Sequence, residues 1–302
     1  MAGPEHRVVF DFEIEFTNGG GLRGHDFRLD IDGDDIDDAE LVDRVVSDLR
    51  LLMVGPARIL NKRIVIEAHK RRQPETGRAG GRRHVDLSHV IEDGLVTYPG
   101  LPAVQVCDYL SREQSREHYE AGTEFQIASI GMVANTGTYI DCPFHRYADG
   151  ADLAQVEATA FADLDGIVVR AGHGNDGAID ASFFRDRELR GRAVLVHTGW
   201  DVRWATPAYA DGHPYLTEDA AAYLRDCGVA LVGIDSMNID DTRGRARPVH
   251  SILLGAGVLI VEHLCNLAAL PNEGFAFSAA PPKFRGVGTF PVRALARLHG
   301  MP

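Results

Sequence analysis

The chain has 302 residues, of which 45% are hydrophobic and 25% charged, a composition that fits a globular protein with one large domain, or one domain and an appendage. Its 31 basic side chains against 44 acidic ones leave a net charge of −13, which argues against a nucleic-acid or anionic-membrane partner. No run of ~18 apolar residues occurs, Met1 to Arg7 carry no apolar signal core, and Cys107, Cys142, Cys227 and Cys265 show no C-x-x-C spacing, so a soluble cytoplasmic protein with free thiols is expected.

Alternation of polar and apolar residues predicts a strand over 7–16, and Asn18-Gly19 a hairpin turn with a returning strand at 26–31. Leu41, Val45, Val46, Leu49 and Leu52 fall on one stripe and predict a helix over 38–53, followed by a strand over 58–67. Residues 1–69 thus read as a small ββαβ appendage. Residues 70–83 are basic, polar and glycine-bearing, which reads as a linker rather than a nucleic-acid-binding arm. The acidic run Asp30 to Asp35 superficially resembles a calcium loop, but its Gly stands at position four and Leu41 at position twelve, so a solvated turn is the reading.

From 84 to 302 short apolar runs alternate with Gly, Asp and Pro. Strands are predicted at 84–87, 126–134, 167–170, 193–197, 230–234 and 257–262, and helices at 110–120, 181–187 and 217–226. No G-x-G-x-x-G follows a strand, so a dinucleotide fold is excluded.

Four clusters could carry chemistry. The richest is Asn135-Thr136-Gly137-Thr138-Tyr139-Ile140-Asp141-Cys142-Pro143-Phe144-His145, where Gly137 and Pro143 favour a bent strand or loop and Asp141 with His145 forms a candidate acid/base or ligand pair. Tyr98-Pro99-Gly100 is the second. The third is 233–240, with Asp235 and Asp240 at a strand end, and the fourth joins His250 to Glu262 across an apolar stretch. Asp141, His250 and Glu262 make an O/N/O set suited to zinc or manganese with an open position for water. Each also has a plain alternative, a turn-capping carboxylate or a hydrogen-bonded core histidine.

The same residues resemble the cyclase family that includes bacterial kynurenine formamidase and isatin hydrolase. Its pattern H-x-G-T-H-x-D-x-P-x-H has the spacing of residues 135–145. Tyr98-Pro99-Gly100 resembles its WPG loop, Thr198-Gly199-Trp200 its TGW, and Phe290 to Arg293 its closing segment. His250-Ser-Ile-Leu-Leu and Val261-Glu262-His263-Leu264-Cys265-Asn266-Leu267 resemble its HxxLL and vE.L.nL segments. The likeness covers residues 84–300. It implies an α/β (α+β mixed) fold, a swivelling β/β/α layered catalytic domain over 84–302, assembled as a homodimer or homotetramer. It also implies His145 as the acid/base, Asp141, His250 and Glu262 as metal ligands, and Tyr98 and Asn135 as substrate contacts.

Asn135 and Tyr139 stand where the family has the two histidines of a first metal site, so that site is expected to be lost. The leading expectation is an arylformamidase-like hydrolase of a small cyclic or aryl amide, in tryptophan/kynurenine-type metabolism, with one zinc or manganese and His145 shuttling the proton. Two rivals are a metal-independent cyclase, lyase or isomerase using His145 and Tyr139, and a non-catalytic binding protein on the same scaffold.

Overall fold

Period-two alternation gives the first strands one buried face. In the computed structural model, which describes residues 6–31, 33–48, 51, 54–66, 83–171 and 177–299, β1 (His6–Phe16) pairs antiparallel with both β2 (Gly21–Ile31) and β3 (Val54–Ile66). Val8, Phe10, Phe12 and Ile14 project from one face of β1 onto Leu41 and Val45 of helix α1 (Asp38–Asp48). Of the expected helix over 38–53, Asp38–Asp48 is helical and Leu51 is not, while residues 49, 50, 52 and 53 lie outside the described residues. This ββαβ layer belongs to one of two compact units, Met1–Arg78 and Ala79–Pro302. Residues 70–82 of the expected linker lie outside the described residues.

The second unit is built on a nine-stranded sheet. Its strands are β4 (Arg83–Asp86), β7 (Tyr139–Asp141), β8 (Leu164–Arg170), β10 (Ala193–His197), β12 (Leu231–Ile234), β13 (Leu259–Glu262), β14 (Phe275–Ala280), β15 (Thr289–Pro291) and β16 (Arg293–Leu298), in the order β15-β7-β13-β12-β10-β8-β14-β16-β4. β5 (Gln105–Leu110) and β6 (Ile127–Gly131) form a separate antiparallel hairpin, and β9 (Ala178–Ile179) pairs with β11 (Tyr215–Leu216). Strands β13, β12, β10 and β8 run parallel, whereas β7, β14 and their outer neighbours are antiparallel.

The parallel strands read as unbroken apolar runs because both faces are covered. Ile167, Val169, Val194, Val196, Val232, Ile234 and Ile260 pack under helices α3 (Glu218–Cys227) and α4 (Pro248–Gly255). The intervening residues Val168, Leu195, Leu231, Leu259 and Val261 face Val85, Phe275, Phe277, Ala294 and Ala296 of the outer strands, over which the sheet curls. Thr217 caps α3 and Gly228 ends it in the left-handed region.

Two expected helices shrink. Over 110–120 only Arg112–Ser115 (α2) is helical: a Ser111–Gln114 capping box starts it, but Ser115 is its one buried residue and no apolar stripe extends it. Over 181–187 the chain makes a single 3₁₀ turn, Ala181–Phe184. Strand β7 falls within the bent strand or loop expected at 135–145, whereas β14, β15, β16 and helix α4 are not marked by sequence pattern.

Candidate active site

Strand register assembles the site. Because β7 lies between β13 and β15, Tyr139 stands opposite Glu262, and Asp141 stands between Ile260 and Thr289. Residues two apart on a strand share a face, so Tyr139, Asp141, Glu262 and Thr289 form one polar patch, almost fully buried. Past Asp141 the chain makes a 3₁₀ turn at Pro143–His145, with the His145 N–H donating to the Cys142 carbonyl. Gly288 allows this turn to pack: a Cβ there would lie 2.3 Å from the His145 nitrogen. Gly137, at φ +63°, begins the motif in the left-handed region.

The Thr289 hydroxyl donates a short hydrogen bond to Asp141 Oδ1 and lies 2.7 Å from His145 Nδ1. With its proton committed to Asp141, Thr289 accepts from Nδ1–H, which leaves His145 Nε2 as a proton acceptor. The other carboxylate oxygen, Asp141 Oδ2, is buried with no hydrogen-bond partner among the described residues. It lies 3.6 Å from His250 Nε2, which is also 3.7 Å from Glu262 Oε1. His250 Nδ1 is held at 2.6 Å by Asp240 Oδ2, and that carboxylate also caps α4 through the Val249 and His250 N–H groups. Nδ1–H is thereby fixed on Asp240 and Nε2 aimed between two carboxylates.

Burial on its own lowers the basicity of His250, but Asp141, Asp240 and the charge of Glu262 outweigh it and push its pKa up to about 10. Burial raises the Glu262 carboxyl, opposed by the His250 charge. A buried orphan oxygen facing an oriented imidazole is a place for a cation, either a proton on Nε2 or a divalent metal in its stead. Asp141, His145 and His250 offer ligand atoms that all lie within 4.8 Å of one another, whereas Glu262, the third expected ligand, is outside that cluster, with its Oε1 3.7 Å from His250 Nε2. The residues fit one divalent cation.

They do not fit a second one at Tyr139. Its hydroxyl donates to Glu262 Oε2 and lies 2.6 Å from the Tyr98 hydroxyl. Burial and the Glu262 charge hold both phenols well above their ordinary pKa of 10, so neither is an anionic ligand. Tyr98 in turn meets His263 Nε2 at 3.2 Å and the Asn238 amide at 3.3 Å, and the Tyr209 hydroxyl lies 2.9 Å from His263 Nδ1. The Tyr98 hydroxyl also has the Met237 carbonyl as an acceptor at 2.8 Å, so this network links Tyr209, His263, Tyr98 and Tyr139 to Glu262, whose Oε1 accepts the Ile239 N–H at 2.6 Å. Asp235, at the end of β12, serves the backbone instead. It accepts the Thr198 and Gly199 N–H groups and so holds the turn that seats Trp200 against Tyr209.

Tyr98, Asn135, Tyr139, His145, His250 and Glu262 line one cavity of about 690 Å³, large enough for a small aromatic molecule. Asp141 sits just beneath it. The seven residues given site roles from sequence therefore lie together, Asp240 joins them through His250, and Asp235 does not. Thr289, His263 and Asn238 were not anticipated. Thr289 precedes the closing Phe290-Pro291 segment, and His263 follows Glu262 directly, so proximity to recognised motifs was the one signal available.

A family model described as Putative cyclase matches residues 85–241, just over half of the chain. The chain belongs to this family. Among cyclase-family relatives, kynurenine formamidase of Geobacillus thermodenitrificans (strain NG80-2) is 25% identical over 218 residues, spanning 72% of this chain and 98% of the relative. Isatin hydrolase A from Labrenzia aggregata, solved with benzyl benzoate, shares the fold with a TM-score of 0.62 at 22% identity, covering 72% of this chain and 94% of that one. A structure described as a potential metal-dependent hydrolase with cyclase activity is 26% identical with a TM-score of 0.60, covering 73% and 100%. The curled mixed α/β sheet is thus the cyclase-family fold. No helix among the described residues is long and apolar enough to cross a membrane.

Proposed function

We propose that this cyclase-family chain hydrolyses a small cyclic or aryl amide in the manner of an arylformamidase, with Asp141, His250 and Glu262 holding one zinc or manganese and His145 moving the proton. The observation that carries the reading is the buried, unpartnered Asp141 Oδ2 facing an imidazole oriented by Asp240, beside a histidine open to the cavity. A divalent cation in that position supplies Lewis acidity to the amide carbonyl and acidifies water. His145 Nε2, with Nδ1 tied to Thr289, takes a proton from the attacking water and returns it to the leaving nitrogen as the C–N bond breaks. Asp141 fixes that tautomer through Thr289 while its second oxygen faces the cation position. Tyr98 and Asn135 line the cavity beside the reacting carbonyl.

The decisive assay measures hydrolysis of formanilide and N-formylkynurenine alongside elemental analysis of the purified protein. About one zinc or manganese per chain, with turnover abolished by a chelator and restored by the metal, is the expected result; full turnover in metal-free protein would overturn it. A metal-independent reading has one observation of its own. A protonated His250 would set its positive charge within 3.7 Å of both carboxylates, and the Tyr98 and Tyr139 hydroxyls line the same cavity as His145, where they could stabilise a carbonyl oxygen. Chelator-resistant turnover that disappears in Tyr139→Phe would select it.

A further inference from the structure

Beyond the reacting groups, the same cavity carries three arginines, Arg146, Arg245 and Arg247, while Glu262 is its one acidic lining residue among the described residues. In a chain of net charge −13 this is a local reversal of sign. The three are not a loose scatter of surface cations. Arg247 Nη1 donates to the carbonyls of Asp241, Gly244 and Ala246, closing the loop that carries Arg245. Ser251 Oγ donates to the Arg247 carbonyl and accepts from Arg146 Nε at 3.1 Å, so the two ends of the rim are tied through one hydroxyl. Arg146 directly follows His145, which sets it beside the proton-transfer group.

Arg245 makes no hydrogen bond or ion pair among the described residues, whereas neighbouring Arg243 is fully engaged by Asp241 and the Tyr215 hydroxyl. Arg146 spends only Nε on Ser251 and keeps its two terminal nitrogens. Guanidinium groups in this state match the planar, bidentate geometry of a carboxylate.

We infer that Arg146 together with Arg245, the latter on the loop stapled by Arg247, binds a carboxylate on the substrate in this cavity, so that the amide hydrolysed is an acidic one. The inference rests on the amide-hydrolase reading of the site and adds to it the substrate class. The carboxylate belongs to a part of the molecule other than the scissile amide, because Asp141 and Glu262 beside His250 Nε2 would repel it at the reacting centre.

The test compares 4-formamidobenzoate with its neutral relatives formanilide and methyl 4-formamidobenzoate, using the full-length protein loaded with metal. The expected result is a kcat/KM at least about tenfold higher for the acid than for the ester, as one charge-assisted hydrogen-bonded pair supplies. That ratio is expected to fall to near unity in Arg245→Ala and Arg146→Ala, and to be partly retained in Arg245→Lys. Calorimetry with 4-aminobenzoate against aniline reads binding without turnover: the acid binds about tenfold more tightly to the parent protein and loses that advantage in Arg245→Ala. Equal binding of the two, or a preference untouched by both alanine variants, overturns the inference. Selective binding of the acid with no hydrolysis of any amide upholds it and instead overturns the proposed reaction.

Discussion

Two sides of the candidate active site grow from one three-residue strand and end in opposite states. On the Asp141 side, Thr289 and His145 form a short relay that leaves an unpartnered carboxylate oxygen and an open imidazole nitrogen at the cavity. On the Tyr139 side, a chain of hydroxyls, amide and imidazole converges on Glu262 and satisfies both of its oxygens. Unmet polar capacity in a buried site is costly unless a ligand, proton or metal meets it. On the proposed reading the first side carries the reacting groups, and the second fixes Glu262 at their edge.

The sharpest way to break this contrast is His250→Ala, which removes the imidazole shared by both carboxylates. Turnover should fall on the order of 10³-fold or more, and elemental analysis should show the metal lost with it; retained metal and rate would refute the assignment. His145→Gln should lower kcat by about 10²- to 10³-fold with metal content unchanged. Thr289→Val, which frees the imidazole without removing it, should cost nearer tenfold. Steady-state kinetics on folded, metal-loaded protein checks both.

Tyr139→Phe reads the other side. It takes one donor from a buried carboxylate, so denaturant unfolding should show a loss of about 1–3 kcal/mol, with a smaller effect on kcat than His145→Gln. A rate loss exceeding that of His145→Gln would reverse the roles of the two sides.

The smallest expected effect is on acid stability. Burial lowers the His89 pKa to about 4, and it holds His263 well below its ordinary 6.5. Both folded values lie below the unfolded one, so the unfolded chain binds more protons in acid. The His89 contribution is complete above about 6.5 and is lost as pH falls from there through 4, and that of His263 is likewise lost in acid. His89 stacks on Trp204 at 4.1 Å and its Nε2 lacks a partner among the described residues. His89→Gln should flatten the fall in melting temperature between pH 6.5 and 4, and an unchanged slope would count against a neutral His89.

Much of the catalytic unit was legible because its parallel strands are buried on both faces and read as apolar runs, as at Ala193–His197 and Leu231–Ile234. The three-residue strands β7 and β15 carry no such period, and their polar residues look like loop. They are strands because neighbours on both sides complete their hydrogen bonds. The predicted helix at 110–120 failed for the converse reason, since its cap signal was present but no apolar face followed.

What sequence determined by itself was an inventory at fixed spacing: an Asp and a His four apart, a later His and Glu, and two departures, Asn135 and Tyr139. Those spacings are local and covalent, so they survive without a fold. Only tertiary structure decided the partners, because strand register brings Thr289 to Asp141 across 148 positions and Tyr139 to Glu262 across 123. It also decided which oxygen stays unpaired, which imidazole nitrogen is free and that three arginines share the cavity, since each depends on which buried polar groups find a mate.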